Sequence, residues 1–348
     1  MITTPFATDT ARFLAFNPLQ ALSRRPRRNR RTAAIRGLVQ ETHLHPSQLV
    51  APLFIVEGQS QQQSIASMPG AFRYSFDLLL KEVMTLYRLG ICAVDLFCYI
   101  PTEKKDVQGS EAIKQGNLLQ QAIRLLKQEI PEICLMVDIA LDPFTTHGHD
   151  GVINEQGIVD NDVTLLVLGQ MSLLAAEAGA DIVAPSDMMD GRVGYIRTAL
   201  DQAGFSSVGI LSYAAKYASA FYGPFREALN SAPKFGDKKS YQMNPANVRE
   251  ALLECQLDEA EGADMLLIKP ALPYLDVIAK VRDMTILPVG AYHVSGEYAM
   301  VMAAAQNGWL DATRIFEECL ISIKRAGADF ILTYAAKQVA ESLMRRSH

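Results

Sequence analysis

Lys269 lies inside "MLLIKPALPYLD", residues 265–276, with four apolar residues before it and a proline after it. Lysine is rarely buried in such a setting, because its ammonium loses hydration there. An amine held in an apolar, partly dry site loses proton affinity and becomes a nucleophile toward a carbonyl, which is Schiff-base chemistry. A lysine that snorkels its head into solvent is the blander alternative. Lys216, in "SYAAKYASAFYGPFR", offers a second amine. Two ammonium groups sharing one site repel, and each lowers the other's pKa. Two such lysines serve two carbonyls, or one carbonyl and one proton shuttle. A third stretch, "DIALDPFTTHGHDG", sets Asp138, Asp142, His147, His149 and Asp150 close together without a cysteine. A metal site, a substrate site and a polar loop all fit that composition.

These residues need elements to bring them together. After about residue 48 the chain alternates short apolar, β-branched runs with longer segments of helical period, as in repeated βα units around a parallel sheet. Eight runs read as strands: 49–56, 91–99, 133–141, 181–186, 207–213, 264–271, 286–292 and 329–335. Between them, stretches such as "SFDLLLKEVMTLYRLG" and "VTLLVLGQMSLLAAEAGA" repeat apolar residues at three and four and meet a glycine after the last turn. The endings "AAEAGAD", "DEAEGAD" and "IKRAGAD" each hand over to a strand. The pattern predicts an α/β fold, a (β/α)8 TIM barrel over residues 48–348, and leaves residues 1–47 outside it as an N-terminal segment. A doubly wound open sheet is the rival, but its glycine-rich phosphate fingerprint is missing from the first βα turn.

Barrel chemistry gathers at the C-terminal ends of strands. That rule selects Asp138 and Asp142 after the third strand, Ser186 and Asp187 after the fourth, and Lys216 after the fifth. It adds Lys269 in the sixth, Ser295 after the seventh and Tyr334 at the eighth. Residues 217–245 exceed an ordinary βα loop and suit a lid, whose Arg226 and Lys238 can meet a substrate carboxylate.

Composition is that of an ordinary globular chain, 49% apolar and 20% charged. No run approaches the roughly 18 apolar residues of a membrane span, and no signal core opens the chain, so a cytoplasmic protein without membrane contact is expected. The five cysteines are scattered, without a CxxC pair, which leaves a structural zinc knuckle or a disulfide framework without support. Residues 1–36 carry eight arginines against one acid, whereas the remainder has 25 bases against 37 acids. "RRPRRNRR", residues 24–31, lacks interleaved aromatics or a recognition motif, so no nucleic acid is expected. An arm that packs on an acidic surface of its own or a neighbouring subunit fits the asymmetry better.

Several ordered motifs now combine: "PSDMMDGRV", "SYAAKYASAFYGPFR", "KKSYQMNPAN", "EGADMLLIKPALPYLD", "GAYHVSGEYAM" and "SIKRAGADFILTYAA". Together they resemble the porphobilinogen synthase family, also called 5-aminolevulinate dehydratase, over residues 12–340. The resemblance implies a hydro-lyase that condenses two molecules of 5-aminolevulinate to porphobilinogen, losing two waters, in tetrapyrrole (haem) biosynthesis. It also implies an extended N-terminal arm over 1–47 that serves subunit association, in a homo-octamer whose arms embrace neighbouring barrels. Lys269 would carry the first substrate as a Schiff base, with Ser295 and Tyr334 on its carboxylate. Lys216 would act on the second substrate, whose carboxylate would meet Arg226, Lys238 and Gln242. Asp138 and Ser186 would bind amine and move protons. Where zinc-dependent members hold the metal with three cysteines, this chain has Ala140, Asp142 and Asp150. No catalytic zinc is therefore expected; Asp142 and Asp150 would act on substrate by charge or hold a loosely bound Mg²⁺ or K⁺. Glu254 matches the residue that binds an allosteric, hydrated Mg²⁺ in magnesium-responsive relatives. The rivals are a Schiff-base aldolase, which needs no Lys216, and a non-catalytic barrel.

Overall fold

The computed structural model describes residues 24–346. The chain divides between His43 and Leu44 into two compact units. In the first, a 3₁₀ turn Pro26–Arg30 precedes a helix Ala33–Leu38, opened by Thr32, whose hydroxyl accepts the Ile35 N–H at 3.2 Å. The arginines of this segment are all exposed. The first 23 residues of the expected arm lie outside the described residues.

The second unit is a closed parallel barrel. Its strands are β1 Leu49–Ile55, β2 Ala93–Cys98, β3 Cys134–Ile139, β4 Ile182–Pro185, β5 Gly209–Lys216, β6 Met265–Lys269, β7 Val289–His293 and β8 Phe330–Thr333. Each pairs with the next, and β8 closes on β1 with Leu49 opposite Ile331. Helices cover the outside, so both faces of each strand are dry; this is why the strands read as continuous apolar runs rather than as alternation. All seven residues of β1 are buried. A short hairpin, Gln62–Ser64 with Phe72–Tyr74, lies beside the end of β1.

The repeated "GAD" endings have one physical explanation. Gly179 and Gly327 stop their helices at φ 106° and 119°, a left-handed turn that a side chain would strain. The aspartate two residues on then accepts an N–H from the preceding strand. Asp181 takes Leu135, Asp264 takes Ile210 and Asp329 takes Val289, at 2.7, 2.7 and 2.8 Å. Each turn thus clamps two strand starts at the N-terminal face, which leaves the opposite face free for loops that do chemistry.

Candidate active site

Lys216 and Lys269 are direct register partners on β5 and β6. The sequence reading ended β5 at Tyr213; a register shift between Ser212 and Ala215 instead carries the strand on to Lys216. Two amines therefore stand side by side at the mouth, yet in different surroundings. Lys269 is 4% exposed, and its Nζ faces the rings of Tyr292, Tyr213, Phe225 and Tyr222 at 4.7, 5.0, 5.0 and 5.3 Å. Burial, reinforced by the Lys216 charge, lowers its pKa to about 7 against the pull of Asp138, Asp142 and Asp95. The lowered value makes a free amine accessible near neutral pH, where an ordinary lysine would leave roughly one in three thousand. Substrate trapping on Lys269 is accordingly expected to rise with pH through about 7; a rise centred near 10 in a borohydride trapping series would refute the lowered value.

Lys216, by contrast, is paired. Its Nζ donates to Asp150 Oδ2 at 3.0 Å and to the Ser186 carbonyl. Asp150 is fully buried, and its other oxygen accepts from Lys238. Gln242 Nε2 reaches Oδ2 at 3.4 Å. Burial alone would raise the Asp150 pKa, but the two ammoniums hold it well below the usual carboxylate range. Lys238 also lies 3.6 Å from Asp142. Asp138, the inward residue of β3, is pushed up to about 7 by burial and by Asp142, against a hydrogen bond from Ser186. Its Oδ1 has no partner, and neither has Gln242 Oε1. Of these two buried acceptors, Gln242 lines the cavity at the mouth, where a donor-bearing ligand would satisfy it.

The 217–245 segment closes over this mouth. Its ends join, with Ala218 N–H donating to the Met243 carbonyl at 2.8 Å and Met243 N–H to the Lys216 carbonyl at 3.0 Å. It carries the half-buried Arg226 into the cavity lined by Lys216, Lys238, Gln242 and Lys269. About 20 Å³ of free space remains there, room for roughly one water. Ser295 and Tyr334 stand behind the aromatic wall. Ser295 Oγ accepts the Phe225 N–H at 3.1 Å, and the Tyr334 hydroxyl shares a 2.9 Å hydrogen bond with Tyr292.

The loop histidines already have work. His147 Nδ1 accepts the His149 N–H at 3.1 Å, which makes Nε2 the donor to the Val107 carbonyl at 3.1 Å. Tyr241 accepts the Asp150 N–H at 3.3 Å and meets His149 Nδ1 at 3.0 Å, while His149 Nε2 faces the Phe235 carbonyl at 3.1 Å. The His149 ring thus braces the loop against the lid and the His147 ring ties it to Val107, and no group of three or more metal-ligating side chains forms among the described residues. Glu254 lies apart, half-buried on the helix Arg249–Ala260. Burial and the nearby Asp258, Asp190 and Glu250 raise its pKa, with Arg192 opposing. Arg192 bonds both Asp258 oxygens at 3.2 and 3.0 Å and lies 3.8 Å from Asp187, tying that helix to the loop after β4.

Sequence reasoning missed the aromatic wall and Asp95, a fully buried acid in β2. The wall residues had no local signal, since aromatics are ordinary core. Asp95 did have one, the same that selects Lys269: a charged residue inside an apolar strand.

A closed (β/α)8 barrel with adjacent lysines and buried carboxylates at its C-terminal mouth defines an enzyme of the lysine-amine type. The profile of the family "Delta-aminolevulinic acid dehydratase" matches residues 23–342. A protein of that name from Chlamydia pneumoniae is 56% identical over 92% of this chain and 97% of its own length. Another from Bradyrhizobium diazoefficiens is 52% identical over 94% and 93%. The crystal structure of the Toxoplasma gondii ME49 delta-aminolevulinic acid dehydratase (porphobilinogen synthase), in complex with the product porphobilinogen, superposes with a TM-score of 0.92 at 49% identity, covering 93% of each chain. The chain belongs to the delta-aminolevulinic acid dehydratase family, whose members are lyases.

Proposed function

We propose that this chain condenses two molecules of 5-aminolevulinate to one porphobilinogen and two waters, with Lys269 as the Schiff-base amine. The observation that carries the reading is the contrast between neighbouring lysines, one unpaired in an aromatic cage and one ion-paired. The neutral Lys269 amine adds to a substrate carbonyl, and water leaves as the imine forms. Asp138, whose pKa burial and Asp142 raise toward neutrality, is suited to give the departing hydroxyl its proton, with Ser186 beside it. The first carboxylate would be taken by Ser295 and Tyr334. The second substrate would exchange its ammonium for that of Lys216 or Lys238 at Asp150 and Asp142, freeing Lys216 to act on its carbonyl. Arg226, Lys238 and Gln242 would receive its carboxylate; Lys238 is a point charge, so this clamp is looser than a bidentate one.

We place this chain in the non-zinc, magnesium-responsive group. Thiolate binding has no ligands at Ala140, Asp142 and Asp150, and a cation such as K⁺ in that loop would have to displace an ammonium from Asp150. Mg²⁺ keeps most of its waters and needs only one or two carboxylates, which suits Glu254 among its acidic neighbours. Bound there, the ion would act allosterically, favouring the octamer. No helix among the described residues is long and apolar enough to cross a membrane. Plant relatives are named chloroplastic; for this chain a cytoplasmic location is proposed.

Chelator-treated protein given 5-aminolevulinate should form porphobilinogen, faster with added Mg²⁺ than with K⁺ or Zn²⁺. Activity that returns only with Zn²⁺ would refute the metal assignment, and none under any condition would refute the reaction. Glu254→Ala should keep basal turnover and lose Mg²⁺ stimulation; an unchanged response moves the ion elsewhere.

A further inference from the structure

One buried carboxyl has no part in these steps. Asp95 on β2 is opposite Met136 on β3, two residues before Asp138 on the same inward face, so it lies one layer beneath Asp138. Its Oδ2 accepts the Tyr213 hydroxyl at 3.0 Å, and its Oδ1 has no partner. An ionised carboxylate with an unpartnered oxygen is costly in a dry interior, whereas the neutral acid is tolerated. The Tyr213 ring has its centre 5.0 Å from Lys269 Nζ and 6.4 Å from the Tyr292 ring. The bond to Asp95 thus sets the angle of a ring that forms part of the cage.

We propose that Asp95 is a positioning residue for the reaction: by accepting the Tyr213 hydroxyl it fixes the aromatic floor beneath the Lys269 amine, and where it ionises, its charge acts on that amine from below. The proposal rests on Lys269 being the Schiff-base amine. The titratable groups around Asp95 are Asp138 and Cys134 on β3, Tyr213 on β5, Lys269 on β6, Tyr292 on β7 and Tyr334 after β8. Burial, then Asp138, push Asp95 up to about 8, with Tyr213 and Lys269 opposing. Lys269 in turn faces Lys216, Asp138 and Asp142 as well as Asp95. A negative charge on Asp95 favours the ammonium form of Lys269, so as pH climbs each ionisation opposes the other and the gain in free amine is drawn out.

Asp95→Asn keeps an acceptor for Tyr213 but never carries charge. Borohydride trapping against pH should therefore climb more steeply in this variant, with its midpoint lower by about half a unit. Asp95→Ala and Tyr213→Phe should each lower kcat about tenfold with little change in KM. The double variant should be no worse than either single one, because both remove the same bond. A role confined to stability would lower the melting midpoint and leave the pH profile in place. An Asn profile that overlays the wild type, or single losses that simply add, overturns the proposal. Should Asp95→Ala fail to fold, the Asn profile decides. Wild type that fails to label at Lys269 undoes the Schiff-base reading, whereas labelled wild type with an unchanged Asn profile undoes only the role of Asp95.

Discussion

Lys269→Met should lower turnover by about four orders of magnitude or more while leaving the barrel folded. Methionine matches lysine in length and suits a site enclosed by four aromatic rings. The exchange also removes a buried amine whose solvation is already poor, so stability should hold or rise. What disappears is the lysine amine at the mouth without an ion pair, since Lys216 and Lys238 are both tied to Asp150. In the wild type, borohydride with 5-aminolevulinate should add mass to the peptide that carries Lys269, and the variant should show none. Turnover above about one per cent, or equal labelling at Lys216, would mean that the amines have exchanged roles.

The second large effect concerns stability. Asp150→Ala leaves the ammoniums of Lys216 and Lys238 buried against each other without the carboxylate they share. Breaking a buried pair in this way costs about 3–5 kcal/mol, more than a designed apolar replacement of the whole cluster would. Denaturant unfolding at pH 7 and equal protomer concentration should show this loss, and a change under about 0.5 kcal/mol would show that the cluster relaxes freely. The pH dependence has a definite sign. Asp150 has its folded-state pKa depressed, so its contribution is fully present above the ordinary carboxylate range and is lost as pH falls below it toward the depressed value. The alanine variant should therefore differ most from the wild type near neutrality and converge with it in strong acid.

Much of this molecule is legible along the chain. The eight strands stand where apolar runs place them, and helix ends follow from glycines that accept a left-handed turn. Lys269 could be singled out because a lysine in an apolar strand is costly wherever the strand ends up. Asp95 sent the same signal more quietly, since a lone acid can also occupy an outward, solvated strand position. Lys216 is expected at the end of its strand, but its register opposite Lys269 depended on a shift that leaves no mark on local pattern. The Asp150 cluster joins residues 66 and 88 positions apart, through a lid whose mixed composition says nothing of where it lands. By itself, then, the sequence determined the barrel and the identity of the two amines, because apolar runs, helical periodicity and residue type are local properties. Only the tertiary structure decided which amine is free and which is paired. Proton affinity follows from desolvation and from the distance to other charges, and both come into being when the barrel closes.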